Sequence, residues 1–174
     1  MATIMLDAGH GGDDPGGTYL DRMEKDDTLR LTLAIGELLQ KSGINVVYTR
    51  TEDVYETPVT KAAEGNAADA DYFVSIHRNS SPNDNQYTGV ESLIYNLYGP
   101  ARQMAENINL QLERTGFVNH GIQEHKNLII LNKTRMPALL VEIGFINTER
   151  DNLLFDSRFY EIAQAVADGI SMSL

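Results

Sequence analysis

The sequence predicts a single α/β domain, and three observations carry that reading. Short apolar runs rich in β-branched residues recur along the chain, and segments with a helical apolar period lie between them. Some runs, such as 138–141, show no polar alternation, which marks strands buried on both faces of a layered sheet. With 174 residues, 42% of them hydrophobic, the chain is long enough for one core of its own. No repeat, low-complexity tract or linker divides it, and the polar stretch 79–88 reads as one loop within the domain.

Taken in order, the candidate strands are 3–6, 44–48, 72–76, 90–95, 128–131 and 138–143. The first long helix is expected over 25–41, where Leu29, Leu33, Ile35, Leu38 and Leu39 recur near a 3.6-residue period. Gly43 follows, where a helix C-terminal glycine belongs. Similar patterns predict helices over 59–69, 101–114 and 159–171.

Composition removes several function classes. The chain has no cysteine, so disulfides, thiolate metal sites and cysteine nucleophiles are excluded, and a catalytic metal would have to be held by His, Asp or Glu. A formal charge of -11 argues against nucleic-acid binding, which draws on clustered Lys and Arg. No apolar run approaches the roughly 20 residues of a membrane span. The first residues lack the basic start and apolar core of a secretory signal, so the chain is expected to be a trimmed secreted protein or one released from the cytoplasm by another route.

Three of the apolar runs end in residues suited to metal binding or proton transfer. The first leads into Asp7-Ala8-Gly9-His10-Gly11-Gly12, the third into His77, and the last into Glu142-Ile143-Gly144. In open α/β sheets, sites gather beyond the carboxyl ends of parallel strands, so residues distant in sequence can converge there. A catalytic zinc takes three protein ligands and a water. His10 and His77 supply two, and Glu24, between a glycine-rich loop and the first helix, is a third candidate; Glu142 then remains as general base or acid. Each alone has an ordinary structural reading, such as a hydrogen-bonded histidine or a first-turn acid, but the four together are hard to account for that way.

The same residues carry a family resemblance over nearly the whole chain. Leu6-Asp7-Ala8-Gly9-His10-Gly11-Gly12 with Asp14-Pro15-Gly16, Glu24, Thr49-Arg50, the 70–77 run ending in Ser75-Ile76-His77 with Asn79, Gly89-Val90-Glu91, and 136–145 around Glu142 occur in this order. The sequence resembles the zinc-dependent N-acetylmuramoyl-L-alanine amidases of the amidase-3 type, a group that includes sporulation enzymes, autolysins and phage endolysins. The resemblance implies a twisted, mostly parallel six-stranded sheet flanked by helices on both faces. It also implies Zn2+ on His10, Glu24 and His77, Glu142 serving the attacking water, and peptidoglycan as substrate. The expected protein is a monomer acting outside the cell at the bacterial wall, with any wall-binding module on a separate domain. A peptidase or deacetylase on the same zinc, or an inactive peptidoglycan-binding module, are the competing readings.

Three positions depart from the family pattern: Arg78 where a small or apolar residue is common, Lys61 where Arg is usual, and His120 where Arg often precedes Gly121. Arg78 and Lys61 are candidate handles for the anionic stem peptide, with a solvated surface role as the alternative. Asn79 is a candidate substrate contact or a turn cap. His120 and His125 are expected in loops, away from any metal.

Overall fold

Alternation along each strand sends successive side chains to opposite faces, and here it sorts two apolar layers. The computed structural model describes residues 2–174. In chain order its elements are β1 (Thr3–Ala8), β2 (Thr18–Tyr19), β3 (Arg22–Met23), α1 (Glu24–Lys41), β4 (Asn45–Tyr48), α2 (Pro58–Ala67), β5 (Tyr72–Asn79), β6 (Val90–Ile94), α3 (Pro100–Arg114), β7 (Asn119–Glu124), α4 (Ile129–Asn132), β8 (Ala138–Phe145), α5 (Glu149–Ser157) and α6 (Phe159–Ser171). Six strands form one sheet in the order β4-β1-β5-β8-β6-β7, and β2 and β3 make a small separate hairpin. Neighbours in the large sheet are parallel except β6 and β8, which run antiparallel.

On one face Ile4, Leu6, Val74, Ile76, Leu139, Val141 and Ile143 meet the apolar sides of α1, α3 and α6 and the α5 residue Phe155. On the other, Met5, Phe73, Leu93 and Leu140 lie under Ile130 and Leu131 of α4, with α2 packed alongside. A Cβ on Gly65 of α2 would stand 2.8 Å from the Phe73 ring, so a glycine lets that helix sit directly on the sheet. This second face turns polar toward one end: Met5 gives way to Asp7, Phe73 to Ser75 and His77, and Leu140 to Glu142. The shift occurs where the parallel strands terminate, and it sets the position of the site.

The first helix and its terminating glycine are as expected: Gly43 has φ 81° and its N–H donates to the Gln40 carbonyl. One strand assignment is corrected. Residues 128–131 do not form a strand; α4 turns there, with Ile130 and Leu131 buried and Ile129 exposed. A short apolar run has no period long enough to separate a buried turn from a strand. The sixth strand is β7, an edge strand with a single aliphatic residue, Ile122, paired only with β6. The polar helix α5 also escaped the apolar pattern; it is anchored by the buried Asp151 and Phe155.

A buried ion pair braces the end of β1. Lys61 Nζ lies 2.8 Å from Asp7 Oδ1 and donates to the Ala8 carbonyl, while Thr49 and Ser75 hydroxyls donate to the Asp7 carboxylate. Burial opposes the Asp7 charge, but Lys61, with smaller help from His77 and the Ser75 hydroxyl, outweighs it and holds the carboxyl below its ordinary value. Removing one partner strands the other charge in the interior, so Lys61→Met should cost about 3–5 kcal/mol at pH 7 in urea unfolding. A depressed carboxyl pKa contributes stability above its unfolded value and loses it as the pH falls through the folded one. The deficit of the variant should therefore shrink in acid; equal stability of both proteins at pH 7 would show that the pair contributes nothing.

Candidate metal centre and active site

The loop after β1 delivers His10 through an uncommon backbone. His10 has φ 62°, and Gly11, Gly12 and Gly16 also take positive φ, a region in which a glycine carries no Cβ penalty. Gly16 is required sterically as well, because a Cβ there would stand 2.6 Å from Glu24 Oε2. A Cβ on Gly9 would overlap the His77 ring. Two glycines thus clear the room in which three functional side chains meet.

Glu24, the first residue of α1, lies between the two histidines. Its Oε2 is 3.1 Å from His10 Nε2 and its Oε1 is 3.0 Å from His77 Nδ1, with the rings edge to face at 4.9 Å. The Gly17 N–H donates to Oε2 and the Arg78 N–H to Oε1, at 2.8 and 2.9 Å. Burial disfavours the Glu24 charge, but its bonds to His10 and His77 reverse that and hold the carboxyl far below the usual range. Asp14 Oδ2 takes the other His10 nitrogen, Nδ1, at 2.9 Å. Burial alone would lower the His10 pKa; Glu24 and Asp14 raise it to about 9.

Donor atoms of His10, Glu24 and His77 all lie within 4.8 Å of one another, and they are the only such group among the described residues. Two imidazoles and a carboxylate, without thiolate, form a donor set suited to zinc. Asp14 behind His10 fixes the ring and its tautomer in the manner common to metal-binding histidines. The residues therefore fit a bound divalent metal.

Glu142 stands opposite His77 across the β5–β8 pair, and Glu91 stands opposite Glu142 across β8–β6, so the three form a row on one face. Glu142 Oε2 is buried and makes no hydrogen bond. Burial raises the Glu142 carboxyl to about 7, with the Glu24 and Glu91 charges adding to it against the pull of His77 and His10. An acid poised there can both take and give a proton near neutrality. From His10 and His77 a groove of about 330 Å³ runs past Asp14 and Tyr55 to Pro58, Leu128 and Ile129.

The predicted residues separate as follows. His10, Glu24 and His77 come together, with Glu142 beside His77. Asn79, at the end of β5, donates to Glu91 Oε1 and accepts from the Ser80 N–H, which places it beside the acid row. Arg78 is corrected: it is buried, on the face opposite His77, where strand alternation puts the residue after a groove-facing one. There it pairs with Asp27 at 2.7 Å, and it is neither a handle for substrate nor a solvated cation. Lys61 is likewise buried, held by Asp7. His120 lies in strand β7 rather than in a loop, exposed and bonded to the Thr88 carbonyl, and His125 is exposed just after that strand. The roles of Asp14, Glu91 and Arg50 were not assigned from sequence. Arg50 donates to the carbonyls of Ala8, Gly9 and Lys25, tying the loop after β1 to the start of α1. The available signals were an acid four residues after His10 in a glycine-rich loop and a charge at the start of the apolar run 90–95.

One histidine from the loop after β1, one from β5 and a buried carboxylate, beside a groove and with a fourth carboxyl next to them, form the arrangement used by hydrolases that work with one bound metal ion. The sequence matches the N-acetylmuramoyl-L-alanine amidase family over residues 4–172, and the chain belongs to that family. It is 29% identical over 177 residues to a probable cell wall amidase, LytH, of Staphylococcus aureus; the match takes in 98% of this chain and 57% of that relative, so the chain spans little more than half of its length. Among solved structures it is similar to an N-acetylmuramoyl-L-alanine amidase of Clostridium difficile 630, with 30% identity, TM-score 0.91 and coverage of 98% of this chain and 95% of that one. It is also similar to the amidase AmiC2 of Nostoc punctiforme, with 30% identity, TM-score 0.90 and coverage of 98% and 96%.

Glu142 also gives the bare protein a pH signature. A carboxyl whose folded pKa is raised from 4.5 to about 7 contributes most stability below its unfolded value and loses it as the pH rises through that window. In metal-free protein, Glu142→Gln should match the parent in stability near pH 4 and exceed it by more than about 1 kcal/mol at pH 8, since one pKa unit corresponds to about 1.4 kcal/mol. Denaturant melts at the two pH values decide this, and a variant that is less stable at pH 8 would contradict the raised pKa.

Proposed function

We propose that this chain is a zinc-dependent amidohydrolase that cuts the amide bond between N-acetylmuramic acid and L-alanine in bacterial peptidoglycan. The observation that carries the proposal is the convergence of His10, Glu24 and His77 within 4.8 Å, with Glu142 next to His77 in register. Family membership supplies the bond to be cut. No helix among the described residues is long and apolar enough to cross a membrane. The proposed place of action is the wall outside the cell, with a wall-binding module supplied by a separate domain.

His10 Nε2, the Glu24 carboxylate and His77 Nδ1 would hold the zinc. When bound, zinc supplies Lewis acidity that polarises a carbonyl and acidifies water. Asp14 keeps the proton on His10 Nδ1 so that Nε2 presents its lone pair. The N–H groups of Gly17 and Arg78 fix the two Glu24 oxygens. Glu142 takes a proton from the attacking water as its oxygen adds to the lactyl carbonyl carbon. The same carboxyl then gives that proton to the L-alanine nitrogen as the C–N bond breaks, leaving a lactyl carboxylate and a free amine. Glu142 lies opposite His77 across the β5–β8 pair, within reach of a water beside the ligands. The groove along Tyr55, Pro58 and Leu128 seats the substrate.

Digestion of purified peptidoglycan followed by mass spectrometry tests the reaction: new L-alanine amino termini are expected, whereas released acetate or new reducing ends would move the assignment to a deacetylase or glycosidase. A second measurement separates the base from the ligands. General acid/base groups contribute roughly 10²–10⁴ in rate. Glu142→Gln should lower kcat by about that factor with one zinc per chain still bound, while His10→Ala and His77→Ala should lose zinc and activity together. Zinc loss from Glu142→Gln, seen by elemental analysis, would make Glu142 a ligand and remove the proposed base.

A further inference from the structure

We infer that Arg78 is a positioning residue for the metal centre, acting from the opposite face of the sheet. The inference rests on the zinc reading of His10, Glu24 and His77. Arg78 is 3% exposed and its guanidinium lies 4.3 Å from the Phe155 ring centroid. Its Nη1 donates to Asp27 Oδ2 at 2.7 Å, its Nε to the Ile143 carbonyl at 3.0 Å, and its Nη2 to Asn152 Oδ1 at 2.8 Å and the Phe145 carbonyl at 3.4 Å.

Arg78 itself and two of these partners, Asp27 and Ile143, are covalently close to residues of the site. Arg78 follows His77 on β5. Asp27 stands three residues after Glu24, on the same first turn of α1. Ile143 follows Glu142 on β8. One planar, five-donor group thus joins the three elements that carry two ligands and the proposed base. Its own N–H also donates to Glu24 Oε1. A site held to a fraction of an ångström needs such ties, because ligands on separate elements otherwise drift independently. A buried guanidinium is costly to desolvate, and a purely packing role would be served as well by an apolar side chain. Asp27 does not need Arg78 for charge balance alone, since Arg22 Nε lies 2.6 Å from it.

The test is zinc affinity of the full metal-free chain, read by competition with a chromophoric chelator, for the parent, Arg78→Met, Arg78→Lys and Leu112→Ala. Leu112, fully buried on α3, is the control for general loss of stability. The parent should bind one zinc. Both Arg78 variants, folded by circular dichroism, should bind it about 10–100-fold more weakly, the range seen when groups supporting metal ligands are removed. Lysine keeps the charge but not the fork, and should recover only part of the loss. Leu112→Ala should melt at a lower temperature yet bind zinc within about twofold of the parent, as independent sites do. The inference is overturned if either folded Arg78 variant binds zinc like the parent, if Leu112→Ala loses as much affinity, or if neither Arg78 variant folds, which would make the residue a keystone of the fold. A parent that binds no zinc overturns the metal reading itself, and the inference with it.

Discussion

A carboxylate buried between two imidazoles governs how the rest of this molecule is built. Taking Glu24 out of water is tolerated only because every direction around it offers a donor: His10 and His77 on the open side, and the N–H groups of Gly17 and Arg78 behind. Those donors come from the loop after β1, the hairpin approach to α1, and the end of β5. The carboxylate can be satisfied only when all three are in place. Gly9 and Gly16 follow from the same crowding, since a methyl group at either would occupy the space of a ring or a carboxylate.

The second organising element is the row Glu91, Glu142, His77 across three adjacent strands. Of the two carboxylates in this row, Glu91 accepts a hydrogen bond from the Asn79 amide. Glu142, lacking a partner of its own, keeps its proton to near neutrality. The difference between the two acids lies in their neighbours: one has an amide to lean on and the other has none.

Much of this was legible in the sequence, for reasons that can be traced. The strands carrying Asp7, His77 and Glu142 are central and apolar, so their signal is strong and their polar ends stand out. The edge strand β7 has a partner on one side only and little apolar burial, so Asn119–Glu124 gave no signal, while the buried turn at Leu128 and Ile130 imitated a strand. The orientation of Arg78 was in principle available. It continues the series Val74, Ile76 that faces the larger core, opposite the face that carries His77, and alternation alone puts it inside. What sequence could not supply was the partner, Asp27, on another element. The bonds Asp14 makes to His10 and Arg50 makes to four carbonyls depend on loop backbone conformations that a linear pattern does not encode.

The reversed direction of β6 gives the molecule a freedom that its parallel neighbours lack. β5 leaves the sheet at the active end, and β6 re-enters at the same end, so the connection through residues 80–89 begins and finishes on the rim of the site. A parallel crossover would have to travel the full depth of the sheet and return over a helix. Here a change in the length of the connection falls outside the strands that carry His77, Glu142 and Glu91. Such a connection lets the rim of the site vary in length and sequence while the residues beneath it keep their places.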